Sequence, residues 1–408
     1  MYKPLVISRS YLWGNSAVGQ IQRVFWEYLY ERGDRPTIIC SDKNQKNVPL
    51  ESLKCEIIQT HDNQFKRYVI ALLKRTVAED FAYLPDYPIF SWYPSAKRRA
   101  IKESTRGEYD YIYSVCTPYA SHLIALETKR KSGLPWVAWF YDPWFDNPYR
   151  PFKYKRLRER DRRNEAAVAE HADIIIHSNQ AIYNEWVERY GVSIKEKMFI
   201  VPFVFNTSKI ERGKEDYKEN KKFVISHIGS LYPNRDSSDF LKALMLLLDN
   251  HPELKNKIEL NYVGNVTDND RNLVNYYQLS DITFFTGVLS EADCQNYFEK
   301  SNLFLAIDGK NSRNIFFPSK IMKYFYCGKP ILGMTPKGSA LQYELEKSRN
   351  YCFENEDYEG IAEFLRLAIL EKDFPSGYDK EYWRNFTMEK VYPEYLNILS
   401  RVLRKQHK

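Results

Sequence analysis

Two stretches of this 408-residue chain hold residues whose types and spacing could bind an anion. The first is His227-Ile228-Gly229-Ser230-Leu231-Tyr232-Pro233-Asn234-Arg235-Asp236. A strand-like run ends in Gly229-Ser230, and Arg235 stands six residues beyond the glycine. Glycine lets backbone N–H groups approach a ligand, and a guanidinium beside such a turn neutralises a phosphate. The second is Phe317-Pro318-Ser319-Lys320, followed by Ile321, Tyr324 and Phe325 at helical spacing and by Gly328 as a stop. That pattern predicts a helix with Ser319 and Lys320 at its amino end, where the helix dipole favours negative charge. Either stretch alone also fits an ordinary strand–loop–helix with a solvated cation. The two together, about 90 residues apart and at equivalent positions of one domain, point to one phosphate-rich ligand.

These residues need strands and helices to place them. Short apolar runs alternate with longer periodic segments, the pattern of a parallel α/β sheet. Strands are predicted at 4–8, 37–41, 110–115, 135–141, 173–177 and 199–204, with a helix over 18–31 between the first two. Residues 65–80 predict an amphipathic helix, with Phe65, Tyr68, Val69, Leu72 and Leu73 on one stripe and Lys66, Arg67, Lys74 and Arg75 beside it. Residues 206–221 are polar and aperiodic, and are expected to be a linker. The pattern then restarts, with strands at 223–228, 258–263, 282–285, 302–306 and 330–334. A helical tail over 381–404 carries Tyr382, Trp383, Tyr392 and Tyr395. The expected architecture is two Rossmann-like, doubly wound α/β domains, 1–205 and 222–384, facing across a cleft at the strand ends.

Composition narrows the chemistry. Hydrophobic residues make up 44% and charged residues 28%, enough apolar matter for a real core. No apolar run reaches the roughly 18–20 residues of a membrane span. The opening MYKPLVISRS leads straight into a strand, so a cytosolic chain is expected. The six cysteines show no C-x-x-C and the seven histidines no H-E-x-x-H, so neither a metal site nor a disulfide framework is expected. No G-x-G-x-x-G follows either first strand, which disfavours a nicotinamide oxidoreductase. Residues 1–200 hold 31 Lys and Arg against 24 Asp and Glu, so they carry the whole net charge of +7. Nucleic acid, a membrane surface or a phosphorylated substrate would each suit such asymmetry.

The order of motifs also carries a resemblance. G-S-L-Y-P-N-R-D, then V-G, then F-T-G-V-L-S with Y-F-E-K-S-N-L-F-L, then P-S-K-I-M-K-Y-F-Y-C-G-K-P-I-L-G resembles the donor half of family 4 glycosyltransferases with the GT-B fold. In the first half, S-A-V-G-Q-I-Q-R-V looks like their first glycine loop and helix. G-L-P-W-V-A-W-F-Y-D-P-W looks like members with a PWV-x-x-F-x-DPW segment.

The resemblance implies a metal-independent hexosyltransferase-like enzyme of surface-polysaccharide biosynthesis. It would move a sugar from a nucleotide donor, with retention, to a glycan or lipid-linked hydroxyl, and would need no cofactor. Arg235 and Lys320 would bind the donor diphosphate, with Gly229, Ser230 and Ser319 adding backbone or hydroxyl donors. Gly19 would approach the donor phosphates or the acceptor. Asp142 would orient the acceptor or act as a base, with His122 as second candidate. The terminal helix, 385–408, would return to the first domain. Relatives usually carry two glutamates here, one near the sugar and one on the ribose. This chain has Ile315 and Lys323 instead. A lysine cannot accept a hydroxyl proton as a carboxylate does. Asp308, Asn311 and Asn314 are polar residues that could read the sugar. Two other readings keep the fold: a non-catalytic binding or scaffold protein, and a sugar-nucleotide epimerase.

The dense basic run Lys153, Lys155, Arg156, Arg158, Arg160, Arg162 and Arg163 fits a solvated helix face. It also fits, with the 65–80 helix, peripheral binding to anionic lipid. Nucleic acid is not expected as a partner, because no binding module or aromatic interleaving accompanies the cations.

Overall fold

Strands that read as unbroken apolar runs belong in sheets covered on both faces. In the computed structural model they form two such sheets. The structure describes residues 1–14, 16–42, 48–73, 88–148, 152–205, 207, 222–310, 314–371, 374 and 377–403. Residues 206 and 208–221 of the expected linker, Lys74 and Arg75, Asn311, and 404–408 of the tail lie outside them. The chain divides into two compact units, Met1–Phe205 with Phe386–Lys408, and Asn206–Asn385.

Unit 1 holds β1 (Pro4–Ile7), β2 (Thr37–Ser41), β3 (Glu56–Thr60), β4 (Tyr111–Val115), β5 (Trp136–Phe140), β6 (Ile174–His177) and β7 (Met198–Ile200). Their order in the sheet is β3-β2-β1-β4-β5-β6-β7, with every pairing parallel. Parallel neighbours need crossovers, and helices supply them. The first, Ala17–Glu31, is capped by Ser16, and Ala120–Ser132 ends at Gly133 in the left-handed region, φ 73°. Aromatic rings fill the core. Phe25, Trp26, Tyr113 and Trp139 pack edge to face around Gln22, whose amide donates to the Tyr113 and Tyr141 hydroxyls at 3.0 and 2.6 Å. The C-terminal helix Met388–Leu403 belongs to this unit through Tyr395. That ring packs on Phe25 and Trp139, and its hydroxyl meets Tyr111 at 3.0 Å.

Unit 2 holds β8 (Phe223–Ile228), β9 (Ile258–Val263), β10 (Thr283–Gly287), β11 (Leu303–Ile307), β12 (Ile331–Met334) and β13 (Tyr351–Phe353). The order β10-β9-β8-β11-β12-β13 is again wholly parallel. Leucines of the helix Ser238–Asn250 pack with Leu260, Leu305 and Ile361 into one core. In both sheets the chain leaves the first strand to one side and returns on the other. The switch points lie between β1 and β4 and between β8 and β11, where doubly wound sheets bind ligands.

Two strands escape the sequence reading. β3 alternates buried with exposed residues and carries Glu56 and Gln59, while β13 is three residues of half-buried YCF. Both are edge strands, so neither has the continuous apolar signature of the central ones.

Candidate functional site

At the second switch point, Gly229 follows β8 with φ +148°, and Gly264 follows the neighbouring β9 with φ +133°. A Cβ on Gly264 would collide with the Gly229 carbonyl, so the two strand ends approach as only glycines permit. The chain then turns through Tyr232-Pro233-Asn234-Arg235. The Arg235 N–H donates to the Tyr232 carbonyl at 2.8 Å, and Asn234 has φ +70°. Proline second and a left-handed asparagine third are the residues a type II turn demands. The turn is tied down twice. Arg235 Nε donates to the Ile307 carbonyl at the end of β11, 2.8 Å, and the Lys310 N–H donates to the Asn234 carbonyl, 2.8 Å. Arg235 is thereby fixed at 9% exposure.

Lys320 reaches the same place from the other side. The helix Ile321–Cys327 follows it, and Tyr324 of that helix stacks on Phe304 of β11 at 4.4 Å while its hydroxyl accepts from the Ile228 N–H at 2.8 Å. This anchoring lays the lysine side chain over Gly229, with Nζ in the space where a Cβ would stand. The structure thus brings Gly229, Arg235 and Lys320 together. Ser319 precedes Lys320 in the turn before the helix, and Ser230 is exposed on the strand-end loop. The N–H groups of Ile321 and Lys323 close back onto Pro318 and Lys320 carbonyls at 2.9 and 3.0 Å. The first helical turn therefore offers fewer donors than the sequence pattern promised.

The electrostatics are one-sided. Among the described residues neither Arg235 nor Lys320 makes an ion pair with a carboxylate. Burial, then the nearby Arg235 charge, pushes Lys320 down to about 7. His227, beneath them on β8, is held neutral, its pKa driven well below the ordinary value by burial, then by Lys320 and Arg235. Its Nδ1 faces the Leu305 carbonyl at 3.0 Å. Asp308, at the end of β11, is raised to about 6 by burial against the pull of Arg235. It accepts from the Thr335 hydroxyl at 2.8 Å and the Gly309 N–H at 3.0 Å. Lys310 is already spoken for by Asp236 and Asp239, each at 3.1 Å. What remains is a pair of cations, Arg235 and Lys320, without a carboxylate partner among the described residues. Gly264 and Thr335 support it and were not singled out from sequence, and Tyr324 was read there only as an apolar helix position. The V-G pair after a strand was the available signal for Gly264.

Ile315 is buried ahead of the helix Ile321–Cys327, and Lys323 is half-buried on it. Asn314 is buried and donates to the Gly309 carbonyl at 3.3 Å, shaping the loop that carries Asp308.

The remaining sequence candidates lie in unit 1. Gly19 sits in the first turn of Ala17–Glu31, with its N–H donating to the Ser16 hydroxyl at 3.2 Å. A Cβ there would run into the Ser10 carbonyl, so this glycine serves close packing of the helix on the loop after β1. His122, which follows the T-P-Y-A-S segment, lies in the first turn of the helix Ala120–Ser132, fully buried against Phe140, with Nδ1 on the Ser114 hydroxyl at 2.8 Å. Burial, then His177, lowers it to about 3, so it stays neutral. Asp142 follows β5 and is half-buried, with its carbonyl 3.8 Å from Cys116 Sγ. Thus His122 and Asp142 belong to unit 1 and the two cations to unit 2. Among the described residues no three His, Cys, Asp or Glu side chains cluster as a metal site would require.

The basic run forms the helix Lys155–His171. Its inner face is acidic: Asp161 accepts from Trp144 Nε1 at 2.8 Å, and Glu165 from the Tyr190 hydroxyl at 2.7 Å. Outside, Arg158 pairs with Asp146 and Arg162 with Glu159, while Lys153, Lys155, Arg156, Arg160 and Arg163 are exposed and make no ion pair among the described residues. The helix Gln64–Leu73 leaves Phe65 75%, Tyr68 63% and Leu72 48% exposed. Among the described residues no helix is long and apolar enough to cross a membrane.

Comparison with known proteins agrees with this division. Residues 25–209 match the family model described as Glycosyltransferase Family 4, and residues 208–381 match Glycosyl transferases group 1. No curated protein matches the sequence. Among solved structures, Anabaena HepE in complex with UDP-glucose superposes with TM-score 0.67 at 12% identity, covering 98% of this chain and 100% of that one. Sucrose-phosphate synthase from Thermosynechococcus elongatus gives 0.64 at 13%, covering 99% and 100%. The lipopolysaccharide outer core galactosyltransferase WaaB gives 0.64 at 12%, covering 98% and 99%. At such identities these likenesses establish the shared fold.

Proposed function

We propose, from the premise that this chain belongs to the glycosyltransferases and has the GT-B fold, that unit 2 binds a nucleoside-diphosphate sugar through Arg235 and Lys320. The observation that carries this reading is the pair of cations without carboxylate partners, set over glycine-ended strands at a switch point. Charge develops on the leaving diphosphate during transfer. Fixed cations in a partly dry pocket stabilise it without reorganising. The same pair supports a metal-independent, cofactor-free reaction. HepE was solved with UDP-glucose, and a TarM variant with α-GlcNAc-glycerol and UDP, which supports a uridine nucleotide and a hydroxyl acceptor here. We assign the acceptor to a glycan or lipid-linked chain of surface-polysaccharide biosynthesis, transfer to retention, and Asp142 to orienting the acceptor. A thermal-shift screen over nucleotide sugars tests the donor reading, since a ligand of the native state raises its stability. Arg235→Ala is expected to abolish the shift. A folded protein that no nucleotide sugar stabilises would refute the reading. Stabilisation without sugar transfer to any acceptor, as the Ile315 and Lys323 replacements allow, would instead favour the binding protein, and conversion of the free nucleotide sugar the epimerase.

The exposed Phe65, Tyr68 and Leu72 and the unpaired cations of Lys155–His171 support a peripheral contact with the cytoplasmic membrane face. Apolar side chains entering the headgroup region and cations near anionic lipid add together. In liposome flotation, anionic vesicles should carry the protein and neutral ones should not.

A further inference from the structure

Lys320 occupies an unusual position for a lysine. Its ammonium rests on the bare Cα of Gly229, and no described carboxylate, carbonyl or hydroxyl accepts a hydrogen bond from it. An ammonium so placed has lost much of its water and gained no acceptor, which favours the neutral amine. The groups around it add to this. Arg235, on the turn after β8, is fixed by the Ile307 carbonyl and cannot discharge. His227, on β8, is neutral and offers no negative charge. Asp308, at the end of β11, has its two oxygens engaged by Thr335 and Gly309, and its charge attracts Arg235. The Tyr324 hydroxyl, on the helix that follows Lys320, is bonded to Ile228.

We propose that the donor site takes up a proton onto Lys320 as the nucleoside-diphosphate sugar binds. The inference rests on the donor reading above and describes how that site responds to pH. In the free protein the amine and the ammonium are both populated near neutrality, in keeping with the lowering of Lys320 to about 7. A bound diphosphate supplies the acceptor oxygens and negative charge that the site lacks, and the ammonium is restored. Binding to the ammonium form alone makes affinity fall as pH rises. The dissociation constant climbs about tenfold per pH unit once the free-protein pKa is passed, until the ordinary lysine range is reached.

The test is isothermal titration calorimetry of the full-length protein with UDP-glucose, GDP-mannose, ADP-glucose and dTDP-glucose. Their diphosphates are esterified at both ends and release no proton near neutrality. Each is measured in MOPS and in Tris, from about pH 6 to about pH 8.5. The expected result is a binding heat that depends on the buffer, with up to one proton taken up per nucleotide. Lys320→Arg should bind with no uptake, because guanidinium does not titrate. Arg235→Gln should bind more weakly and take up fewer protons at the same pH, since the repulsion that adds to burial in discharging Lys320 is gone. Binding by the unmodified protein with equal heats in both buffers and one affinity throughout would overturn the proposal. Absence of binding by all four nucleotide sugars would overturn the donor reading, and the proposal with it.

Discussion

At the carboxyl end of β1, Arg9 is locked onto Asp62 with Nε and Nη2 at 2.9 and 2.5 Å from one carboxylate oxygen. Both side chains are sealed, at 3% and 0% exposure, and Trp13 lies over the guanidinium at 4.5 Å. At the carboxyl end of β8, Arg235 and Lys320 share a pocket with no ion pair. The two sheets have the same parallel construction and the same kind of switch point, yet the Arg9 charge at one end is neutralised by a buried carboxylate and, among the described residues, the two cations at the other are not. The difference teaches that the fold supplies the place for a ligand and the side chains decide whether an anion is wanted there. It also corrects the weight given to net charge. The excess of +7 lies in residues 1–200, but the buried Arg9 of that half is already paired, and exposed cations without an ion pair among the described residues include several on Lys155–His171.

The largest expected effect breaks the neutral end. Asp62→Ala would leave Arg9 buried without its partner. Removing one member of a buried pair costs about 3–5 kcal/mol. Urea unfolding should show that loss, while nucleotide-sugar affinity of the folded fraction stays unchanged. A stable Asp62→Ala protein with impaired donor binding would erase the contrast and place Arg9 in the functional machinery.

How far the contrast was legible in sequence depends on the kind of residue. The glycine at 229, the arginine six residues on and the Ser-Lys before an apolar helix pointed to residues that the structure brings together, because local turn chemistry is written in local residues. The central strands were legible for the same reason, since burial on both faces demands an unbroken apolar run. Arg9 and Asp62 are 53 positions apart, and nothing in either neighbourhood announces the other. His122 was open from sequence because a histidine after T-P-Y-A-S could sit at a strand end or under a ring. Only the packing of Phe140 and the Ser114 hydroxyl shows that it is enclosed.

A smaller effect comes from two glycines, one at each end of the comparison. Gly229→Ala would force an alanine to φ +148° and put its methyl group into the space of the Lys320 ammonium. Displacing a charge-assisting group by this much should weaken nucleotide-sugar binding by about 10- to 100-fold, the share of one hydrogen-bonded charge. Gly19→Ala meets the Ser10 carbonyl instead. It should destabilise unit 1 by about 1–3 kcal/mol, as overpacking does, with donor affinity intact. Calorimetric affinity and urea midpoints measured on both variants separate the two roles. An equal loss of donor affinity in both would mean that Gly19 touches the donor, as the first-loop resemblance implies.

The smallest effect is a pH dependence that differs between the units. His122 and His177 in unit 1 are buried and lowered to about 3, chiefly by burial, and neither His177 nitrogen finds a described partner. Unit 2 has one comparable group, His227, also depressed. A histidine near 6.5 in the unfolded chain and far lower in the fold contributes nothing to pH dependence above about 6.5, where it is neutral in both states. Below that value the unfolded chain binds a proton that the fold refuses, so stability is lost as pH falls. Each such group costs about 1.4 kcal/mol per pH unit until the folded value is reached. The histidine contribution to acid weakening should therefore be twice as steep in unit 1 as in unit 2 between about pH 6 and pH 4, and the raised carboxyl of Asp308 in unit 2, which the fold protonates first, works the other way. Tryptophan fluorescence can follow this, because Trp383 is the only tryptophan of unit 2. Urea midpoints read from that signal should fall with acid, and His177→Leu should flatten the slope by about half. Equal slopes for the two proteins would mean that His177 is protonated within the fold and that the neutral end of the molecule is less sealed than its packing indicates.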